Sequence, residues 1–406
     1  MMALTFLLIL GVLCVEKNNS GFRIITEDEL FAIEEKAKKH KKKGRIRNLI
    51  IFLVLLLILI GCYLLVHYST FTKIRTLELF KSDNAVESSY LQFERGVLKY
   101  SKDGISYLNR KAKEEWNQPY EMKNPIITTS KKRAAIADKG GNTILILDKN
   151  GFVGEAKTTA PIEKISVSDI GLVCAMLSND VTPEIICYDT EGETVVEHKV
   201  SVSKSGFPVD AAISADGKTL MVSYLEINKG KMKSVVKYYN FSTENKLKVT
   251  EEEKAYENTI VPMVFFVKGD LSIHVGDNQL DIERGTTELK NVASLKFKSQ
   301  ISSVAYNDHY IAVMLKNKVG HELRLYNTRG KKILSKDIEE EYSHMKIVNN
   351  QIVMYDGTKC GIIMKDGVMK FKGDTKQQIY EMFPVFGVNK YIVVSDQGFE
   401  LSRLVK

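Results

Sequence analysis

Two features of the 406-residue sequence predict an all-β, eight-bladed β-propeller, with seven blades as the alternative count, following a single N-terminal transmembrane α-helix. One is an uncharged run from Leu49 to Val66 that directly follows a cluster of lysines and arginines. The other is a pair of short apolar strands that recurs from Gly96 to the end of the chain, about every 42 residues, the period of propeller blades. The composition, 44% apolar and 27% charged, excludes extensive disorder and a polytopic membrane protein.

The first element is the span. The segment Leu49 to Tyr68 reads LIIFLVLLLILIGCYLLVHY and offers no polar face, as a soluble core helix would. At 1.5 Å per residue its uncharged part covers about 27 Å, close to the hydrocarbon thickness of a bilayer. The net charge of +8 is concentrated before it, since residues 1–48 carry ten bases against six acids and the rest is near balance. A nucleic-acid partner is therefore not expected. Cationic flanks stay cytoplasmic, so residues 1–48 are read as a cytoplasmic tail, 49–68 as the span and 69–406 as extracytoplasmic. Within the cluster, Lys38, Lys39, Lys41, Lys42, Lys43, Arg45 and Arg47 are the candidate contacts to anionic lipid headgroups. A stop signal with no separate lipid role explains the same residues.

The rest of the tail is small. Thr26 to Glu29 forms a capping box, and Leu30, Phe31, Ile33 and Ala37 follow as a short amphipathic helix. The apolar stretch from Ala3 to Val15 is too short to span a bilayer. It reads as an interfacial anchor, a degenerate signal or a start site placed too far upstream. Leu59-Ile60-Gly61-Cys62 resembles a bacterial lipobox, although the apolar run continues past Cys62 where lipoproteins turn polar.

The repeats come next. Their first strands are GVLKY at Gly96, AAIAD at Ala134, GLVCAML at Gly171, TLMVSY at Thr219, LSIHV at Leu271, YIAVML at Tyr310, QIVMY at Gln351 and YIVVS at Tyr391. The second strands keep step, from ISYLN at Ile105 to FELSR at Phe399, and several end in turns such as Asp189 to Gly192 and Asn327 to Gly330. Short strands rich in Val, Ile and Tyr at even spacing fit a closed ring, because each sheet buries its faces only against its neighbours. The eighth hairpin lacks a fourth strand after Lys406, and Ile74 to Phe80 is the segment expected to supply it and remove the free edge.

Two stretches carry a family resemblance. ISADGKTLMVSY, Ile213 to Tyr224, resembles the signature of surface-layer-type and lactonase-type propellers. ISYLNRKAKEEW, Ile105 to Trp116, resembles the strand-turn-strand unit of quinoprotein-like propellers. The whole layout is similar to that of uncharacterised single-pass, membrane-anchored, quinoprotein/WD40-like envelope proteins of Gram-positive Clostridia-type bacteria. That resemblance implies a fold and a location and no activity. Trp116 is the one tryptophan, so the docking pattern of quinoprotein enzymes is missing and no cofactor is expected.

Chemistry is sparse in the sequence. There is no H-E-x-x-H, G-x-S-x-G, Walker or dinucleotide motif. His198, His274, His309, His321 and His344 would form a metal site only by converging on the axis, and His274 reads as a core or channel histidine. Asp138, Asp216 and Asp277 fit turn and strand-end roles as well as a carboxylate set, and Glu251 to Glu253 and Glu339 to Glu341 read as solvated loops. Cys174 and Cys187 lie on the two strands of one hairpin, where a cross-strand disulfide is open to them and two buried thiols are the commoner outcome. These observations lean away from an enzyme and favour a scaffold for an envelope protein or glycan. The alternative is a lactonase, lyase or glycan hydrolase acting at the central channel. A sensor would need a partner to carry its output, because the tail holds no output domain.

Overall fold

The computed structural model describes residues 15–18, 21–24, 26–81, 87–178, 182–228, 230–241 and 250–406. The apolar stretch from Ala3 lies outside them except for Val15. The chain divides into two units, residues 1–69 and 70–406.

In the first unit, Val15–Asn18 pairs antiparallel with Gly21–Ile24. One helix, Glu27–Tyr68, then runs without interruption for 42 residues. The amphipathic segment and the span expected from the sequence are thus one helix. Lysines and arginines dominate the intervening stretch, Lys38 to Asn48, no proline breaks it, and Gly44 alone weakens it. Thr26 caps the helix, its backbone N–H donating to the Glu29 carboxylate (3.3 Å). The helix is long and apolar enough to cross a membrane.

The second unit is an eight-bladed β-propeller, which excludes the seven-bladed alternative. Blades 1 to 7 occupy residues 89–119, 125–157, 162–199, 207–257, 263–296, 301–338 and 344–374, each a four-stranded antiparallel sheet in chain order. We letter the strands of each blade A to D. Blade 8 takes strands A to C from residues 379–405, and its strand D is Lys73–Lys81, paired from Lys73 opposite Val405 to Lys81 opposite Gly398. The ring therefore closes with the first and last strands of the unit hydrogen-bonded side by side. At five of the eight junctions the A strands of neighbouring blades adjoin, while D strands such as Glu114–Pro119 and Thr194–Lys199 alternate exposed and half-buried residues.

The sixteen apolar strands read from the sequence are the B and C strands of the eight blades. They read clearly because both faces of each are covered. In blade 3, Val173, Ala175 and Leu177 pack toward blade 2, whereas Cys174 and Met176 pack toward blade 4. Strand C does the same, with Ile186 and Tyr188 on one side and Ile185 and Cys187 on the other. Strand alternation thus divides one continuous apolar run between two interfaces. Eight apolar clusters form among the described residues, one at each junction between neighbouring blades.

The corners follow the turn chemistry of the sequence. Between strands C and D the side chains of Asn109, Asp189 and Asn327 each accept backbone N–H groups two and four residues on. Gly192 and Gly330, at φ 84° and 77°, complete two of these turns in the left-handed region. The ISADGKTLMVSY stretch is the A–B corner of blade 4, where the Ser214 hydroxyl donates to Asp216 (2.6 Å) and accepts from the Thr219 N–H (3.0 Å). Trp116, in strand D of blade 1, stacks on Tyr107 and donates its indole N–H to the Lys149 carbonyl of blade 2 (2.9 Å). Blade 4 departs from its neighbours, because its B and C strands, Thr219–Asn228 and Lys231–Asn240, reach ten residues each. That extension lengthens the spacing from the blade 4 repeat to the blade 5 repeat, whereas the equally long spacing before it takes in the short helix Val202–Ser205 between blades 3 and 4.

A chain lacking residues 1–81 leaves strand Gly398–Val405 as an open edge and removes Phe71 and Ile74 from one apolar junction and Phe80 from the next. It is expected to self-associate through that edge, read by size-exclusion chromatography. A monomer that unfolds at the same urea concentration as the full chain would show that closure is dispensable.

Candidate functional site

The inner A strands have one edge with no strand to pair with, so their backbone N–H groups need other acceptors. At three junctions a side chain of the preceding blade supplies one. Ser166 Oγ accepts from the Ile213 N–H (3.1 Å), Asp210 Oδ2 from the Val264 N–H (2.8 Å) and Glu381 Oε2 from the Gln92 N–H (3.2 Å). Irregularities in the A–B pairing, at Pro208/Asp210 in blade 4 and Ile379/Glu381 in blade 8, place these carboxylates.

Both carboxylates also hold a lysine. Asp210 lies 3.0 Å from Lys164 Nζ, which follows the matching irregularity in blade 3, and Glu381 pairs with Lys346 of blade 7. Burial raises the Asp210 carboxyl above its ordinary range, with Lys164 and the Val264 N–H pulling it back. Burial likewise lowers the Lys346 ammonium, and Glu381 opposes that shift.

A cavity of about 410 Å³ opens along the inner strands of blades 2 to 6. Asp210 sits on its wall. Across its mouth Lys131, from the A–B corner of blade 2, reaches Asp308, from the A–B corner of blade 6, at 2.7 Å. These blades are four apart and therefore opposite in an eight-membered ring, so the pair straps one side of the axis to the other. Asp169 holds the Lys131 backbone N–H (2.9 Å), and its own N–H is held by the Ala215 carbonyl (3.0 Å). Tyr306 stacks on Phe265 of the neighbouring blade, with centroids 3.9 Å apart and planes 10° from parallel. The residue as a whole stays 42% exposed. Burial within the ring, then the nearby Asp210 charge, raises its phenol.

The residues singled out in the sequence lie elsewhere. Asp138 accepts the Asn124 N–H at a strand end of blade 2, Asp216 belongs to the blade 4 corner, and Asp277 lies in the turn joining strands B and C of blade 5. The five histidines belong to separate settings: His198 bonds the Tyr224 hydroxyl, His344 stacks on Tyr355, and His309 and His321 flank strands of blade 6. No group of three or more His, Cys, Asp or Glu among the described residues could hold a metal ion. On the helix, Lys38 and Lys39 turn back to Glu34 and Glu35 (3.6 and 2.7 Å), and Lys41, Lys42, Lys43, Arg45 and Arg47 share the same stretch. Cys174 and Cys187 occupy directly opposite positions, and the structure joins them as a disulfide.

His274 is buried in blade 5. Its Nε2 and Nδ1 lie 2.6 Å from the hydroxyls of Tyr238 and Tyr256, both from blade 4. Beside them Lys254 pairs with buried Asp281 (3.2 Å) and with buried Glu283. Burial first, then the Lys254 charge, pushes His274 down to about 3 against a smaller opposing effect of Asp281.

The molecule is thus an eight-bladed β-propeller with a mixed polar and aromatic axial cavity and a helix able to cross a membrane. Residues 67–404 match the family of unknown function DUF5711, and the chain belongs to that family. No curated protein matches the sequence. Among solved structures it is similar to BamB from Moraxella catarrhalis, at 14% identity and a TM-score of 0.50, covering 81% of this chain and 99% of that one. Sqt1 from Saccharomyces cerevisiae is similar at 14% identity and a TM-score of 0.53, covering 82% and 99%. Apo AztD from Citrobacter koseri is similar at 11% identity and a TM-score of 0.51, covering 72% and 87%. At these identities the likeness is one of fold.

Two outcomes follow. The unfolded His274 imidazole takes up a proton near its ordinary 6.5 and the folded one only near 3. The unfolded chain therefore binds more protons between these values, and His274 alone makes stability fall as pH drops through that window, at up to about 1.4 kcal/mol per pH unit. His274→Gln is expected to flatten the fall in urea titrations, and an unchanged slope would contradict a buried neutral imidazole. Protein isolated without reductant is expected to resist iodoacetamide at Cys174 and Cys187 until reduced, as read by peptide mass spectrometry. Alkylation of both without reductant would remove the disulfide.

Proposed function

We propose that this protein is a single-pass, membrane-anchored propeller of the envelope of Gram-positive Clostridia-type bacteria. Its ring stands outside the cell and serves as a binding scaffold for a protein or glycan. The anchor is the uncharged part of the helix. The lysines and arginines from Lys38 to Arg47 remain in the cytoplasm and contact anionic headgroups.

The observation that carries the scaffold reading is the state of the charges along the axis. Asp210 already holds a lysine and a backbone N–H, and Lys131 and Asp308 hold each other. Groups committed in this way favour binding and orientation over proton transfer. An enzyme of the lactonase, lyase or glycan hydrolase type is the competing reading, and the raised Asp210 carboxyl is the observation in its favour. To act as an acid or base there, Asp210 would have to release Lys164 and leave the Val264 N–H unpaired.

The placement is tested by reporters fused after Lys406. Alkaline phosphatase is expected to be active and β-galactosidase inactive, and the reverse pattern would put the ring in the cytoplasm and end the envelope reading.

A further inference from the structure

The axial cavity holds more information than its position. Its volume of about 410 Å³ falls within the range of small-molecule sites, about 300–1,000 Å³. Three features of the lining restrict what it accepts.

The first is charge. Lys131 with Asp308, and Asp210 with Lys164 just outside the lining, are closed pairs, and Asp169 and Lys268 add one charge of each sign, so the positive and negative charges at the cavity balance. A charged ligand would have to break a pair or sit against lining charges of both signs. An uncharged ligand rich in hydroxyls need not, because a carboxylate that accepts one ammonium keeps further lone pairs and a lysine keeps further N–H donors. The second is the aromatic wall. One face of Tyr306 lies on Phe265, and the residue, 42% exposed overall, lines the cavity. The electron-rich face of such a ring accepts the weakly positive C–H groups of a flat aliphatic ring. The third is the pair Thr128 and Thr129, which line the same cavity from blade 2 and carry hydroxyls that both donate and accept.

A ligand that is neutral, carries hydroxyls around its rim and has an apolar face is a sugar. We propose that the axial cavity binds a neutral mono- or disaccharide, one ring of which stacks on Tyr306 while its hydroxyls bond Asp210, Asp169 and the two threonines. The Lys131–Asp308 strap crosses the entrance and is partly exposed to water on both sides, 56% and 39%, so it opens without a large barrier and closes over the bound sugar. This inference rests on the scaffold reading and names the glycan part of it.

The test uses the full-length chain in nanodiscs with maltose, cellobiose and N,N′-diacetylchitobiose as probes, followed by saturation-transfer NMR and calorimetry. At least one probe is expected to bind saturably, and Tyr306→Ala is expected to weaken it about tenfold or more. Tyr306→Leu, which keeps an apolar contact on Phe265, is expected to weaken it similarly, and it carries the test should the alanine variant misfold. Removing the strap with Lys131→Met and Asp308→Asn is expected to speed association and dissociation of the same sugar. Failure of all three probes to bind, or equal affinity for wild type and both Tyr306 variants, would overturn the saccharide site. Tight binding of a charged compound alone would overturn it as well. A saccharide site can fail while the fusion reporters still place the ring outside, and a cytoplasmic ring can still bind sugar, so the two conclusions fail separately.

Discussion

Every blade buries its apolar residues against the next blade, and the rest of the structure depends on that reciprocal packing. There is no shared central core. Leu98, Ile136, Ile146, Val222, Ile282 and Ile362 are all fully buried, yet they are spread over five junctions. At roughly 1.5–3 kcal/mol per fully buried large aliphatic side chain, each junction gathers enough apolar surface to hold two sheets together. An unclosed array would leave two such faces in water, which is why the pairing of Lys73–Lys81 with the last strand matters more than its modest length suggests.

The same geometry forces polar residues to the axis. Sheets that fan outward converge at their A strands, whose inner edges cannot pair with another strand in the same plane. Ser166, Asp210 and Glu381 answer those edges with side-chain oxygens, and the two carboxylates then recruit Lys164 and Lys346. The polarity of the axis is in this sense a by-product of closing the ring. The cavity among blades 2 to 6 turns that by-product into a lined site, because the stacked Phe265 and Tyr306 share its wall with Asp210 and Asp308.

Polar groups buried between the outer parts of the blades are organised differently. His274 accepts its place through two tyrosine hydroxyls, and Lys254 answers two buried carboxylates at once. Such a network is stable only when every member is partnered. It also fixes the rotation of blade 5 against blade 4 in a way that interchangeable aliphatic contacts do not.

The sequence by itself determined the architecture. Strands B and C are apolar on both faces, so GVLKY, IICYD or YIAVML could be recognised one blade at a time, and their spacing gave eight units. The long uncharged run marked the helix just as directly, although its continuity with the tail back to Glu27 was not visible in the apolar pattern. Strands A and D were hidden, because an axial strand such as Phe207–Ile213 carries polar residues and a pairing irregularity, and an outer strand such as Thr194–Lys199 is half exposed. The candidate site was hidden with them. Lys131 and Asp308 are 177 residues apart and look like ordinary turn residues, as do Asp138 and Asp216, which the structure leaves in their turns. Only the closure of the ring decided which turn residues face one another across the axis, since that depends on the count and tilt of whole sheets and on no local property of the chain.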